Sequence, residues 1–273
     1  MKKLIAGIFA AALALSASAY STDTIQLASK NLAKPMDITV FVPDKAVQGE
    51  KCPSVYLLNG HDGDHTQWSR LRTNLGELAD FYGMVMVLTS GQDSWYWDSP
   101  IDPGMQMESF FVLDLVPYIT KNYNTIDSRD SRAITGLSMG GHGALWLAVR
   151  HPDVFGSAGS TSGGVNILPF PTRWHMADRL GKYEDNPQRW RDHTVASQIE
   201  RFKTAGLNII FDCGVDDFFA KVNDDLHRDL VKAGVPHDYT SRPGTHSFEY
   251  WKNSILYHLL FFNEAFAKAE NKK

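Results

Sequence analysis

One serine is set apart by its neighbours. In AITGLSMGGHGALWLA (133–148), Ser138 lies between Gly136 and Gly140, with Gly141 and Gly143 close behind. RAITG (132–136) reads as a strand, and MGGHGALWLAVR (139–150) reads as the helix that follows. Ser138 therefore falls on a strand-to-helix junction. A sharp turn there forces strained backbone angles on the serine, and small neighbours keep the turn free of clashes. The hydroxyl is then exposed at the carboxyl end of a sheet, beside a helix N-terminus that favours developing negative charge. These are the requirements of a nucleophile.

A serine hydroxyl reacts only when a base takes its proton and an acid orients that base. On a strand–turn–helix scaffold of this kind the chain order is serine, acid, histidine. Downstream, NIIFDCGVDDFF (208–219) reads as a strand followed by a turn rich in acids. Asp212 is still in the strand end, so the acid is placed at Asp217, with Asp216 the alternative. RPGTHSFEYW (242–251) puts His246 in a Pro-Gly loop before the last helical segment, where it can swing over Ser138. The other histidines fit less well. His237 precedes its strand, at the wrong end of the sheet. His227 and His258 lie inside helical patterns, solvated or at the core edge, and His142 is expected on a helix surface. His61, Asp62, Asp64 and His65 have the ligand types of a metal site. Solvated acids at a helix start need no ion, and neither does an activated serine, so no metal and no cofactor is expected.

The elements that must position these residues alternate. Apolar, β-rich runs at 37–42, 54–59, 84–89, 132–136, 156–160, 208–213 and 237–241 read as strands. The central ones are continuously apolar, as parallel strands covered on both faces are. Between them, 68–82, 106–123, 218–234 and 247–269 space apolar residues three and four apart, as amphipathic helices do. This predicts an α/β fold with a mostly parallel sheet and helices on both faces. DITVFV (37–42) is expected as an antiparallel edge. Residues 165–200, with Pro169, Pro171, Pro187, Trp174 and Trp190, break the alternation and read as a small cap.

The chain has 273 residues, 43% of them hydrophobic and 21% charged, enough for one sizeable core. A formal net charge of −4 offers no basic footprint for nucleic acid or an anionic membrane. Lys2 and Lys3, the apolar run LIAGIFAAALAL, and Ala17-Ser18-Ala19 together read as an export signal cleaved near Tyr20. The run is too short for a stable membrane anchor. A periplasmic or secreted location is expected, with residues 1–19 as leader and 20–273 as one catalytic domain. Cys52 and Cys213, the only cysteines, are expected as free thiols.

GLSMGGHGAL, HPDVFGSAGSTSG, DCGVDDFF and GTHSFEYW, in this order, resemble the esterase family that includes S-formylglutathione hydrolase (esterase D), tributyrin-type esterases and bacterial feruloyl esterases. The antigen 85 mycolyltransferases are more distant members. The likeness runs from about Asp37 to Phe262. It implies the α/β-hydrolase fold, no cofactor, and Ser138, Asp217 and His246 as the catalytic residues. It also implies an oxyanion hole formed by the backbone N–H groups of Met139 and His61. The chain departs from many relatives in carrying Asn59 before Gly60, where they have histidine.

GQDSWYWDSP (91–100) places Trp95, Tyr96 and Trp97 in a loop on the same edge, as one wall of a substrate pocket. Packing within the loop is the other reading of these rings. Phe170 and Trp174 of the cap form the opposite wall. The expected partner is a small or polysaccharide-linked ester carrying an acetyl, feruloyl or other short acyl group. An acyltransferase, or a thioesterase like S-formylglutathione hydrolase, would use the same three residues. A non-catalytic carbohydrate-binding protein would use none of them.

Overall fold

In the computed structural model, which describes residues 20–271, the apolar runs form the middle of one eight-stranded sheet. Its strands are β1 (Ser21–Leu27), β2 (Met36–Val42), β3 (Ser54–Leu58), β4 (Val85–Thr89), β5 (Arg132–Gly136), β6 (Ser157–Thr161), β7 (Asn208–Gly214) and β8 (Asp238–Arg242). They lie in the order β1-β2-β4-β3-β5-β6-β7-β8. From β4 to β8 all neighbours are parallel; β2 runs antiparallel to both β1 and β4.

The helices are α1 (Asp44–Val47), α2 (Gln67–Leu71), α3 (Leu75–Tyr82), α4 (Met107–Ser109), α5 (Val116–Asn122), α6 (Met139–Arg150), α7 (Met176–Leu180), α8 (Pro187–Asp192), α9 (Ile199–Ala205), α10 (Ala220–Lys232) and α11 (Phe248–Glu270). Strand side chains alternate between faces, and the core divides accordingly. Tyr56 and Leu58 of β3 join Ile134 of β5 and the apolar side chains of α6 and α10. Val55 and Leu57 point the other way, to Leu75, Ala79, Trp251, Ile255 and Leu259 on α3 and α11. This is the α/β-hydrolase architecture expected from the sequence.

Several boundaries differ from expectation. β2 is antiparallel but not an edge. Outside it runs β1, paired over its full length from Ser21 with Val42 to Leu27 with Met36. The run STDTIQL is mostly polar and mostly exposed, so it carries no apolar alternation to announce it. The helix expected over 68–82 is two helices. Arg72 leaves helical angles, and its guanidinium donates to the Lys252 carbonyl oxygen at 3.2 Å. The helix over 106–123 is continuous but contains a π-helical stretch, Phe110–Leu115. Pro117, just beyond that stretch, has no N–H to give the α-helical ladder.

The cap of residues 165–200 contains α7 and α8 and is tied to the loop after β4. Arg179 pairs with Asp102 at 3.1 Å, Ser99 Oγ donates to the Arg179 carbonyl at 2.7 Å, and Trp95 Nε1 donates to the Trp174 carbonyl at 3.1 Å. Cys52 and Cys213 are free and buried. The leader expected at 1–19 lies outside the described residues.

Candidate active site

Ser138 leaves β5 with φ 56° and ψ −117°, angles that cost an L-residue about 1–3 kcal/mol. The surroundings hold it there. Its N–H donates to the Thr161 carbonyl at 3.0 Å, and its carbonyl accepts from His142 N at 3.1 Å and Gly164 N at 3.3 Å. Two glycines are sterically required. A Cβ on Gly136 would come within 2.4 Å of the Gly140 carbonyl, and one on Gly140 within 2.4 Å of Leu58 O. The turn thus packs backbone directly on backbone.

His246 and Asp217 reach Ser138 from the loops after β8 and β7. His246 Nε2 lies 2.9 Å from Ser138 Oγ, and Nδ1 lies 2.8 Å from Asp217 Oδ2. The second oxygen, Asp217 Oδ1, accepts from Phe219 N at 2.8 Å, and the carboxylate is fully buried. A carboxylate accepts only, so Nδ1 carries a proton and Nε2 is left to receive one from the hydroxyl. The two loops are tied together by backbone bonds, Val215 N to Arg242 O at 2.9 Å and Asp216 N to Gly244 O at 3.0 Å. Asp216 itself faces solvent, so of the two candidate acids it is Asp217 that meets the histidine. Phe218 lies against the His246 ring at 4.3 Å and Trp251 stands edge-on to it at 4.8 Å, which fixes the imidazole plane.

A cleft of about 520 Å³ opens over Ser138. Its walls include Trp174, Phe218, Phe248 and Trp251, and its rim includes His61 and Arg70. Trp174 therefore sits where the sequence placed it. Trp95 and Trp97 do not: they are 1% and 0% exposed and stack on each other at 5.7 Å in the core. Their N–H groups explain this position, because each is satisfied internally. Trp95 donates to the Trp174 carbonyl, and Trp97 donates to His142 Nε2 at 3.0 Å. Phe170 packs behind Trp174 and on Phe219, at 5.4 and 5.2 Å.

Two histidines also depart from expectation. His142 is buried beneath the nucleophile turn and not on a helix surface. Burial pushes its pKa down to about 3, which keeps it neutral. Its Nδ1 then donates to the Gly164 carbonyl at 3.1 Å while Nε2 accepts from Trp97. His258 is likewise in the core, with Nε2 2.9 Å from Asp212 and Nδ1 2.7 Å from Thr135 Oγ1. The supposed metal cluster divides. His65 bonds Thr39 Oγ1 at 2.8 Å, and Asp64 accepts from the Thr66 hydroxyl at 2.6 Å. His61 pairs with Asp62 at 2.8 Å, and Asp93 joins these two instead.

Phe218, Phe248 and Trp251 were not singled out in the sequence, although a signal was there. Phe218 directly follows the acid, and the other two lie two and five residues after His246. The loops that carry the acid and the base to Ser138 also bring these rings to the cleft.

The model of the Esterase family matches residues 29–262. An acetyl esterase from Caldicellulosiruptor saccharolyticus is 25% identical over 251 residues, covering 85% of this chain and 94% of the relative. The S-formylglutathione hydrolase of Bos taurus is 24% identical over 221 residues, covering 73% and 74%. The chain also spans 52% of an esterase of Mycobacterium tuberculosis, so that relative carries a further segment outside the match. Among solved structures, a ferulic acid esterase superposes with a TM-score of 0.75 at 28% identity, over 91% of this chain and 99% of that one. The chain belongs to the Esterase family, a serine carboxylesterase on the α/β-hydrolase fold.

Proposed function

We propose that the protein is an exported esterase that removes acetyl, feruloyl or other short acyl groups from carbohydrate, through an acyl-enzyme on Ser138. One observation carries the reading: His246 bridges the Ser138 hydroxyl at 2.9 Å and the buried Asp217 carboxylate at 2.8 Å. Ser138 Oγ attacks the ester carbonyl carbon as His246 Nε2 takes its proton. The carbonyl oxygen becomes an oxyanion facing the N–H groups of Met139 and His61. Met139 is the first residue of α6, so its N–H has no acceptor within the helix. His61 belongs to the same cleft as Ser138. Collapse expels the alcohol, which leaves with the proton from His246. Water, activated by the same imidazole, then releases the acid. Asp217 holds the ring and stabilises its charged form.

The aromatic walls support a flat acyl group or a sugar ring beside the nucleophile. The names of the acetyl esterase and ferulic acid esterase relatives point the same way. An exported chain would not meet S-formylglutathione, a thioester of the cytosolic glutathione pool.

The test is a panel of p-nitrophenyl acetate, butyrate and longer esters with methyl ferulate and acetylated xylan, each with wild type and Ser138→Ala. Hydrolysis by wild type alone is expected, with the polysaccharide or ferulate among the better substrates. Hydrolysis surviving in Ser138→Ala overturns the mechanism. Acyl transfer to an added sugar in preference to water would make the protein an acyltransferase. N-terminal sequencing of the mature protein, expected to begin near Tyr20, tests export. Prolonged chelation is expected to leave the rate unchanged; loss of activity restored by zinc would place an ion in the chemistry.

A further inference from the structure

We propose that Asn59 is a positioning residue that aims the His61 N–H at the oxyanion, and that Tyr96 in turn fixes Asn59. The inference rests on the hydrolase reading above and adds the means by which one half of the oxyanion hole is set.

Asn59 follows β3 directly and is 0% exposed. A buried carboxamide must find partners for its oxygen and its NH₂ group, and those partners decide how it lies. Its Oδ1 accepts from Gly91 N at 2.7 Å and from the Tyr96 hydroxyl at 2.9 Å. Burial holds the Tyr96 phenol well above its ordinary pKa, so the hydroxyl keeps its proton and donates. The same hydroxyl lies 3.1 Å from the Asn59 backbone carbonyl, so its one proton is shared between two acceptors of Asn59. The Gly91 N–H can only donate, so the end of the amide that it faces must be the oxygen, and Nδ2 is directed at the Gly60 carbonyl, 2.8 Å away.

The Gly60 carbonyl belongs to the same planar peptide unit as the His61 N–H. In a trans peptide the two point in opposite directions. Asn59 Nδ2 and Gly63 N, the latter at 3.0 Å, both draw the Gly60 oxygen to one side. The His61 N–H is thereby turned to the other. Gly60 N is held separately by Gln67 Oε1 at 2.8 Å, so the units on both sides of the Gly60 α-carbon are pinned. The nucleophile is adjacent: a Cβ on Gly60 would lie 3.4 Å from Ser138 Cβ.

An apolar side chain could fill the space of Asn59, but it could not grip the carbonyl. The carboxamide does what an oxyanion hole demands, fixing a donor before charge develops. This also accounts for a tyrosine, and not phenylalanine, buried at position 96.

The test uses Asn59→Asp and Tyr96→Phe beside wild type and Ser138→Ala, with kcat and KM for p-nitrophenyl acetate and a thermal melt of each chain. Asn59→Asp is isosteric. It keeps an acceptor for Gly91 and Tyr96 but, once ionised, turns an acceptor oxygen toward the Gly60 carbonyl; kcat is followed into the alkaline range, because a protonated carboxyl would still donate there. We expect kcat to fall about 10–100-fold, the scale of a misaimed oxyanion donor. KM should stay within about twofold, because acylation and deacylation both pass through an oxyanion and slow together. Tyr96→Phe should lower kcat about 3–10-fold with the same KM pattern, since it loosens the amide without removing it. If folded variants keep kcat within about twofold of wild type, or lose only in KM, the proposal is overturned. Should Asn59→Asp fail to melt cooperatively, Tyr96→Phe decides by the same criteria. An active wild type with inert Ser138→Ala and unaffected variants removes this proposal alone; an inert wild type removes the hydrolase reading and this one with it.

Discussion

Among the described residues, two aspartate–histidine–hydroxyl chains have nearly equal dimensions. At the rim, Asp217, His246 and Ser138 are linked by contacts of 2.8 and 2.9 Å. In the core, Asp212, His258 and Thr135 are linked by contacts of 2.9 and 2.7 Å. Distances between side chains do not tell them apart. What differs is everything around the hydroxyl. Ser138 sits on a strained turn in an open cleft, at the start of a twelve-residue helix. Thr135 lies inside β5 with no exposure, between strands on both sides. Asp212 also differs from Asp217. It is shared among His258, Thr161 Oγ1 at 2.9 Å, Arg242 at 3.2 Å and the Ser254 hydroxyl. One chain is open to an ester at its hydroxyl; the other is closed on itself and cross-links β5, β6, β7 and α11.

The comparison is broken most directly at the nucleophile. Ser138→Ala should lower kcat for p-nitrophenyl acetate by about 10⁴-fold or more while leaving the melting temperature within a few degrees. A smaller loss would mean that another group supplies the nucleophile. Next is the acid. Asp217→Asn should cost about 10³–10⁴-fold in kcat, because the amide can impose the wrong tautomer on His246. Asp216→Asn, one residue away and solvent-facing, should stay within about twofold. Equal losses at both positions would dissolve the distinction between the two acids.

Much of the rim was legible in the sequence, and little of the core pair was. Ser138, Asp217 and His246 each lie within four residues of a strand end, with glycine or Pro-Gly two or three positions before them, so the local pattern marks them. Asp212 and His258 lie inside regular elements, where a polar residue looks like any solvated one until the neighbouring strands are known. Trp95 and Trp97 failed for a related reason. A tryptophan in a loop after a strand suits a pocket wall, and only a fold-level partner such as His142 shows that its indole N–H is already engaged. β1 was invisible because its polar residues carry no alternation. The break at Arg72 depends on a contact with Lys252, far along the chain.

The third test concerns stability. Asp212→Asn removes the charge from a buried pair and should cost about 3 kcal/mol, lowering the melting temperature by roughly 6–12 °C, with most of kcat retained in the folded fraction. The loss should depend on pH. Burial alone would raise the Asp212 pKa, but the His258 bond and the His258 and Arg242 charges outweigh it, and the carboxyl is held below its ordinary value. A depressed carboxyl contributes stability above its unfolded pKa and loses it as pH falls through the folded one. The gap between wild type and Asp212→Asn, read from urea midpoints, should therefore shrink on acidification. His142 also destabilises the fold as pH drops below the ordinary histidine range, since the unfolded chain takes up a proton that its buried ring refuses. It does so equally in both chains and cancels from the difference. A gap that widens in acid would show that Asp212 is not the charged partner.

The smallest effect is expected at the other hydroxyl, where the two constellations are most alike. Thr135→Val keeps the shape of the side chain and removes only its bond to His258 Nδ1, leaving that nitrogen buried without its 2.7 Å partner. The cost should be about 1–3 kcal/mol of stability. The rate should not change, because Thr135 faces no cleft and no donor awaits an oxyanion beside it. A kcat within about twofold of wild type, against the collapse expected for Ser138→Ala, would show that the strained turn and the open cleft confer reactivity on a hydroxyl that an aspartate–histidine pair alone does not. A large loss of kcat in a folded Thr135→Val would instead mean that the core network transmits its geometry to the rim. Arg242, bonded to Asp212 below and to Val215 N beside the acid loop, would be the first residue to examine for that coupling.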